Sequence, residues 1–257
     1  MNLQNKVAIV TGAGGGGTGR AAARRFAREG AMVVVNDINL AGGHETVALI
    51  ESAGGRAAFC GANIATEADA LLAFADSTYG GVDVLVNNAS DPTGLGALTG
   101  WNECIHLEVL GPMRAILGAI ERMRRRGEGA IVNIGSTSAL GHGRKHAPWP
   151  SYDVAKMAMM RLTTTLAFLR QEANIRVNCL VPSWVASPGP KEYWESLTPE
   201  QRKERGVPDT LISLDEMADA ILRLATDELL FGRIMVWWNG QPPRLIRAGD
   251  PGYETLE

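Results

Sequence analysis

The chain has 257 residues, 46% of them hydrophobic and 21% charged, enough apolar mass to bury a substantial core. A formal net charge of −3 gives no reason to expect a nucleic acid or an anionic membrane as partner. No apolar run is long enough to span a bilayer and the opening MNLQNKVAIVTG is too polar for a secretory signal, so a soluble cytoplasmic protein is expected.

Short β-branched runs alternate with helical patterns along the chain. The first strand is predicted over Val7–Val10 and runs into a glycine-rich stretch, Gly12 to Gly19, with a helix over Arg20–Glu29. Glycines let a backbone turn tightly and approach a pyrophosphate, and a helix start supplies amide donors and a positive dipole end. A second strand over Met32–Asn36 ends at Asp37, whose carboxylate suits the hydroxyls of an adenosine ribose. That carboxylate would repel a 2′-phosphate, and Ile38 beside it offers no cation, which favours NAD over NADP.

Helices over Ala41–Ser52 and Glu67–Ser77 flank a strand over Arg56–Cys60. Further strands follow over Val84–Asn87, Ala130–Ile134, Arg176–Leu180 and Ile234–Trp237. Between them lie helical stretches over Trp101–Arg125, Ser151–Glu172 and Leu214–Thr226. Nearly unbroken apolar strands in βαβα order imply a parallel sheet covered on both faces, joined by right-handed crossovers. The expected fold class is α/β, a single Rossmann-type domain over 1–257. Within it, 183–213 reads as a substrate lid and 239–257 as a Pro/Gly/Arg-rich tail.

Other features carry blander readings. Cys60, Cys104 and Cys179 lie apart in apolar surroundings, as buried free thiols of a reducing compartment. The basic run Arg122–Arg126 falls at a helix end, where it complements the dipole. Glu103 and His106 form one Glu-x-x-His pair with no second, so no metal is expected. His142 and His146 sit in the loop before Tyr152 and read as exposed. Trp184, Tyr193 and Trp194 have two open readings, an apolar substrate wall or internal packing of the lid.

At Tyr152-Asp153-Val154-Ala155-Lys156 a tyrosine stands four residues before a lysine, so the two side chains share a helix face. An ammonium beside a phenol favours the phenolate, which suits acid/base work. Taken with Thr11-Gly12, Asp37, Asn87-Asn88-Ala89, Ser136 and Arg176-Val177-Asn178 leading to Pro182, the chain resembles the short-chain dehydrogenase/reductase family over almost its whole length.

The resemblance implies a doubly wound, seven-stranded parallel sheet, a homo-oligomer (tetramer or dimer) and an alcohol or ketone as small-molecule substrate. Tyr152 would be the general acid/base, Lys156 its partner and a ligand of the nicotinamide ribose, and Ser136 the anchor of the substrate oxygen. The cofactor would lie on Gly12, Gly16, Gly17, Gly19, Asp37, Asn63, Ile64, Asn88 and Ala89. Pro182, Val185 and Ser187 would meet its carboxamide end.

Five positions depart from the family pattern. The glycine loop is one residue longer. Asn63 replaces an aspartate after the third strand. Glu108 stands where the family's catalytic asparagine is expected. The stretch from Ser136 to Tyr152 is about three residues longer, around Arg144 to Pro150. Pro182-Ser183 replaces Pro-Gly. At Glu108 the consequences are open: it could hold a relay water, pair with Lys156 and weaken that residue's pull on Tyr152, or mark a site without a relay.

The expected function is NAD-dependent interconversion of a secondary alcohol and a ketone. An NAD-binding sensor or scaffold without turnover and an NADPH-dependent carbonyl reductase are the alternatives.

Overall fold

The computed structural model describes residues 1–91, 99–141, 149–247 and 249. His142, His146, residues 144–148 of the insert before Tyr152, and residue 248 with residues 250–257 of the tail lie outside the described residues.

The chain runs β1 (Val7–Thr11), α1 (Thr18–Arg28), β2 (Met32–Asn36), α2 (Leu40–Ser52), β3 (Arg56–Cys60), α3 (Ala68–Tyr79) and β4 (Val84–Asn87). Next come α4 (Trp101–Ile105), a π-helical turn (His106–Leu110), α5 (Gly111–Arg126) and β5 (Gly129–Ile134). A 3₁₀ turn (Thr137–Leu140), α6 (Pro150–Thr165), α7 (Leu169–Ala173) and β6 (Ile175–Pro182) follow. The lid segment holds α8 (Pro188–Glu195) and α9 (Pro199–Arg205), before α10 (Leu214–Thr226), β7 (Ile234–Trp237) and β8 (Arg244–Leu245).

The strands form one sheet in the order β3-β2-β1-β4-β5-β6-β7-β8. All pairs are parallel up to β7, as the apolar runs predict. The seven-strand expectation is corrected at one edge, where β8 adds antiparallel to β7. Gly240, with φ of +72°, lies in the short reversal between them, so part of the expected tail becomes a hairpin arm.

The order reverses between β1 and β4, whose carboxyl ends therefore open a crevice that no crossover covers. One core, with Phe26, Ile50, Met217, Ile221 and Leu224, packs α1, α2 and α10 on one face. The other, with Leu71, Leu72, Ile116, Met123 and Met159, packs α3, α5 and α6 on the opposite face.

Two long helices differ from expectation. The stretch from Trp101 widens into a π turn at 106–110 before continuing to Arg126. Pro112 has no N–H to donate to the carbonyl of Glu108, and its ring crowds that carbonyl, which opens the turn. The stretch from Pro150 breaks after Thr165. Thr163, Thr164 and Thr165 donate their hydroxyls to the carbonyls of Met159, Arg161 and Leu162, and such back-bonding bends a helix.

At the amino edge of the sheet, Asp83 is fully buried. It accepts from Val7 N at 2.7 Å and from Arg126 Nε and Nη2 at 2.7 and 2.9 Å. Arg122 is likewise held, its Nε donating to Asp76 at 2.9 Å, so these members of the basic run brace the fold. Asp83→Ala strands a buried amide and a guanidinium, and is expected to lower unfolding free energy by roughly 3 kcal/mol. Urea unfolding checks this: the midpoint falls while the slope stays constant.

Candidate active site

The crevice at the carboxyl ends of β1 and β4 is built by short-range bonding. Thr11 Oγ1 accepts from the amides of Asn88 and Ala89, both at 3.0 Å, and donates to Val86 O. Asn88 Nδ2 donates to Thr11 O at 2.8 Å and Gly12 O at 3.2 Å. The end of β4 thereby fixes the start of the glycine loop. Gly12 needs its φ of +67°, and a Cβ there would meet Ala89 Cα at 2.7 Å.

The glycine loop is bonded to the end of β2 and to α2. Gly14 N donates to Asp37 Oδ2 at 2.7 Å, and Asn39 N donates to Oδ1 at 2.9 Å. Arg20 Nη2 donates to Gly14 O at 3.0 Å, to Gly42 O at 3.2 Å and to Glu45 at 2.6 Å. Its Nε bonds Thr46 Oγ1 at 2.9 Å. Above this seam lies an open groove of about 540 Å³, lined by Gly14, Gly15, Gly16, Arg20, Asn39 and Gly42 among others.

A Cβ on Gly15 would meet nothing within 4 Å, and one on Gly16 nothing nearer than 3.8 Å. The loop thus turns bare backbone toward the groove, a surface that fits a pyrophosphate at the start of α1. Ser187 and Pro188, at the start of α8, lie against Gly17 and Gly16, so the segment expected as a lid meets the glycine loop there.

The remaining expected cofactor residues are spread around this crevice. Asn63 Oδ1 accepts from Ala65 N at 3.0 Å, which leaves it one lone pair for a ligand. The Ile64 side chain is buried in the core under α3 and α5. Pro182 ends β6, and Val185 forms a parallel bridge with Ile212. Asn239 clamps the turn between them, accepting from Trp184 N at 2.9 Å and donating to Trp184 O at 2.7 Å.

Lys156 and Tyr152 reach the end of β5 from α6, and Ser136 follows that strand end in the chain. Ser136 starts the 3₁₀ turn two residues past Ile134, and its Oγ accepts from Ser138 N at 3.2 Å. Lys156 Nζ donates to Ile134 O at 3.0 Å and lies 5.2 Å from the centroid of the Tyr152 ring.

Of the alternatives open at Glu108, the structure has the pair. Its Oε2 lies 2.8 Å from Lys156 Nζ, with side chains 3% and 4% exposed respectively. Ser90 Oγ donates to the other oxygen, Oε1, at 2.5 Å. Burial alone pulls the Lys156 ammonium toward its neutral form, but the Glu108 carboxylate, with Tyr152 second, more than offsets this and raises its pKa above the usual lysine value.

The lid aromatics contact one another and their neighbours. Trp184 stacks on Tyr193 with centroids 6.1 Å apart. Trp194 is internal packing: its Nε1 donates to Pro208 O at 2.9 Å and the Arg202 guanidinium lies 3.5 Å over its ring. Trp237 packs on the core, and Trp238 is exposed.

Ser90, Arg20, Asn239 and the polar ladder from Asn87 Nδ2 to Asn133 and on to Thr163 Oγ1 escape a reading of the sequence alone. Their partners are distant in the chain. Only Ser90, following directly on Asn87-Asn88-Ala89, had a signal in its position.

A family model described as short chain dehydrogenase matches residues 6–197. An uncharacterized oxidoreductase of Thermotoga maritima is 37% identical over 246 residues, covering 90% of this chain and 94% of that protein. A solved 7α-hydroxysteroid dehydrogenase in complex with NADH and 7-oxo glycochenodeoxycholic acid is 30% identical with a TM-score of 0.79, covering 91% of this chain and 93% of its own. L-Sorbose reductase of Gluconobacter frateurii, in complex with NADPH and L-sorbose, is 28% identical with the same TM-score of 0.79, covering 93% and 98%.

Two glycines separate the cradle from the fold. A Cβ on Gly19 would lie 2.3 Å from Gly12 O and 2.5 Å from Asn88 Nδ2. Gly19→Ala is therefore expected to lower the thermal midpoint as well as nicotinamide dinucleotide affinity. Gly15→Ala, whose Cβ would enter open groove, is expected to leave the midpoint unchanged and weaken binding several-fold. Calorimetric melting and cofactor titration of both variants check this.

Proposed function

The chain belongs to the short-chain dehydrogenase/reductase family, and on that premise we propose that it interconverts a secondary alcohol and a ketone with NAD(H), Tyr152 serving as general acid/base. The observation that carries this reading is the pairing of Lys156 with Tyr152 beside the end of β5, from which Ser136 follows in the chain. Tyr152 has an ammonium 5.2 Å from its ring centroid, and Lys156 is oriented by Ile134 O.

When bound, the nicotinamide ring supplies the hydride acceptor or donor. The chain's own residues do the rest. Ser136 holds the substrate oxygen with its hydroxyl. Tyr152 takes the proton from that oxygen in oxidation and returns one in reduction. Lys156 holds the nicotinamide ribose and stands beside the phenol. The bare backbone of Gly15 and Gly16 carries the pyrophosphate, and Asp37 the adenosine ribose.

Asp37 supports NAD over NADP. Backbone amides on both oxygens hold its carboxylate in place beside the groove. Arg20, the arginine lining that groove, is answered by Glu45 at 2.6 Å. Among the described residues lining that groove, a 2′-phosphate would meet a fixed anion and no uncommitted guanidinium. The stacked Trp184 and Tyr193, beyond the end of β6, support a partly apolar substrate. Exposed Leu117, Val154 and Phe168 on and beside α5 and α6 support a homo-oligomer, and three buried free cysteines suit a reducing cytoplasm.

The test is NADH absorbance across a panel of secondary alcohols and ketones. Tyr152→Phe is expected to lower kcat at least about 100-fold with little change in NAD(H) affinity. NAD(H) is expected to bind at least about tenfold more tightly than NADP(H), an advantage that Asp37→Ser removes. Equal turnover in wild type and Tyr152→Phe overturns the mechanism, and tight NAD binding without turnover on any panel member points to a binding-only protein.

A further inference from the structure

Glu108 and Ser90 do more than fill space behind Lys156. The carboxylate divides its oxygens: Oε2 faces Lys156 Nζ at 2.8 Å and Oε1 takes the Ser90 proton at 2.5 Å. Both charged side chains are almost wholly buried. An ion pair so dry presents nearly balanced charge to its surroundings, and Tyr152 is among them, with its ring 5.2 Å from Nζ.

We propose that Glu108, held by Ser90, is a positioning residue that neutralises Lys156, so that Tyr152 faces an ion pair instead of a bare ammonium and stands as a phenol, a proton donor for carbonyl reduction, at neutral pH. The inference rests on the acid/base role proposed above for Tyr152.

Among the described residues, the other groups around Tyr152 and Lys156 leave Glu108 as the anion in contact with the ammonium. From α4 comes Cys104 and from β6 Cys179, both thiols pushed up by burial, Cys179 to about 12, and so uncharged at neutral pH. The end of β5 and its 3₁₀ turn bring the carbonyl of Ile134 and the hydroxyls of Ser136 and Ser138, which carry no charge. Ser90 comes from the loop after β4, where Asp91 beside it is exposed. Asp153 neighbours Tyr152 in the first turn of α6, where adjacent residues do not share a face. His106, on the π turn, is exposed with its ring nitrogen against Asn102 O.

The π turn is the second, independent sign. It swings Glu108 into the core, where it is 3% exposed, while its neighbours Leu107 and Val109 are only partly buried. Glu108→Gln keeps the shape and removes the charge. Where Lys156 stays charged on its remaining partner, the uncharged carbonyl of Ile134, Tyr152 would face an ammonium with no carboxylate beside it, and the phenolate would form at lower pH by about one unit.

Two readouts test this. The first is the pH–rate limb of alcohol oxidation, which rises as the phenolate forms. The second needs no substrate: the ultraviolet phenolate absorbance of Tyr152, obtained as the difference between each protein and its Tyr152→Phe counterpart. In Glu108→Gln both are expected to move about one unit toward acid, while Glu108→Asp, which keeps the charge, stays near wild type.

A Glu108→Gln protein that loses activity equally at every pH, with limb and absorbance unmoved, overturns the proposal in favour of a purely structural role. So does an Asp variant that shifts as far as the Gln variant. Should Glu108→Gln fail to fold, wild type still tests the inference: a Tyr152 phenolate already formed below neutral pH overturns it. If no panel substrate turns over, the proposed reaction falls, and the absorbance titration still judges Glu108.

Discussion

A buried ammonium has to be answered, and the architecture of this site follows from how Lys156 is answered. An isolated charge moved into a protein interior costs several kcal/mol even after relaxation, on the order of what holds a small domain together. Lys156 escapes that cost through Glu108 at 2.8 Å and Ile134 O at 3.0 Å. Each partner imposes a condition. Ile134 O is available because β5 ends there, and Glu108 arrives because Pro112 opens the helix carrying it. Ser90 then satisfies the carboxylate oxygen that Lys156 does not use. The helix α6 is pinned at one end by charge, and Tyr152, one turn earlier, is placed as a consequence.

The cofactor crevice rests on a parallel arrangement with a second carboxylate. Asp37 is bound by Gly14 N and Asn39 N before any ligand arrives, and Arg20 closes the seam from the loop side. The longer glycine loop is absorbed here, against α2, where Gly42 accommodates it: a Cβ on Gly42 would lie 2.1 Å from Gly14 O. The backbone at Gly15 and Gly16 stays bare toward the groove. The two departures that most unsettle a reading of the sequence, the longer loop and Glu108, are each resolved by a specific bonded partner.

Legibility in the sequence follows the range of the interactions. Seven strands and the glycine loop could be read because strand burial and glycine turns are written in consecutive residues. The pairing of Tyr152 with Lys156 is one helical turn and equally local. Ser90 and Glu108 lie eighteen residues apart, and their meeting depends on a π turn that no periodicity announces. The break after Thr165 depends on hydroxyls turning back on their own helix, which the run of apolar spacing hides. Asn239 sits in a stretch whose composition reads as a loose tail, and only the hairpin to β8 reveals that it clamps Trp184.

The cost of the Lys156–Glu108 pair also separates the enzyme reading from a binding-only one. A buried ion pair is no gift to stability: well-packed apolar residues of similar volume are often neutral or better by roughly 1–4 kcal/mol. The crevice that would hold a dinucleotide is bonded through Thr11, Asn88, Asp37 and Arg20. A protein that only sensed or carried NAD could keep that crevice and let positions 90, 108 and 156 drift to apolar types. Here all three are polar and bonded to one another behind a tyrosine, with Ser136 on the same strand end. That expense, made where it does little for the fold, is the structural argument for a site that moves protons.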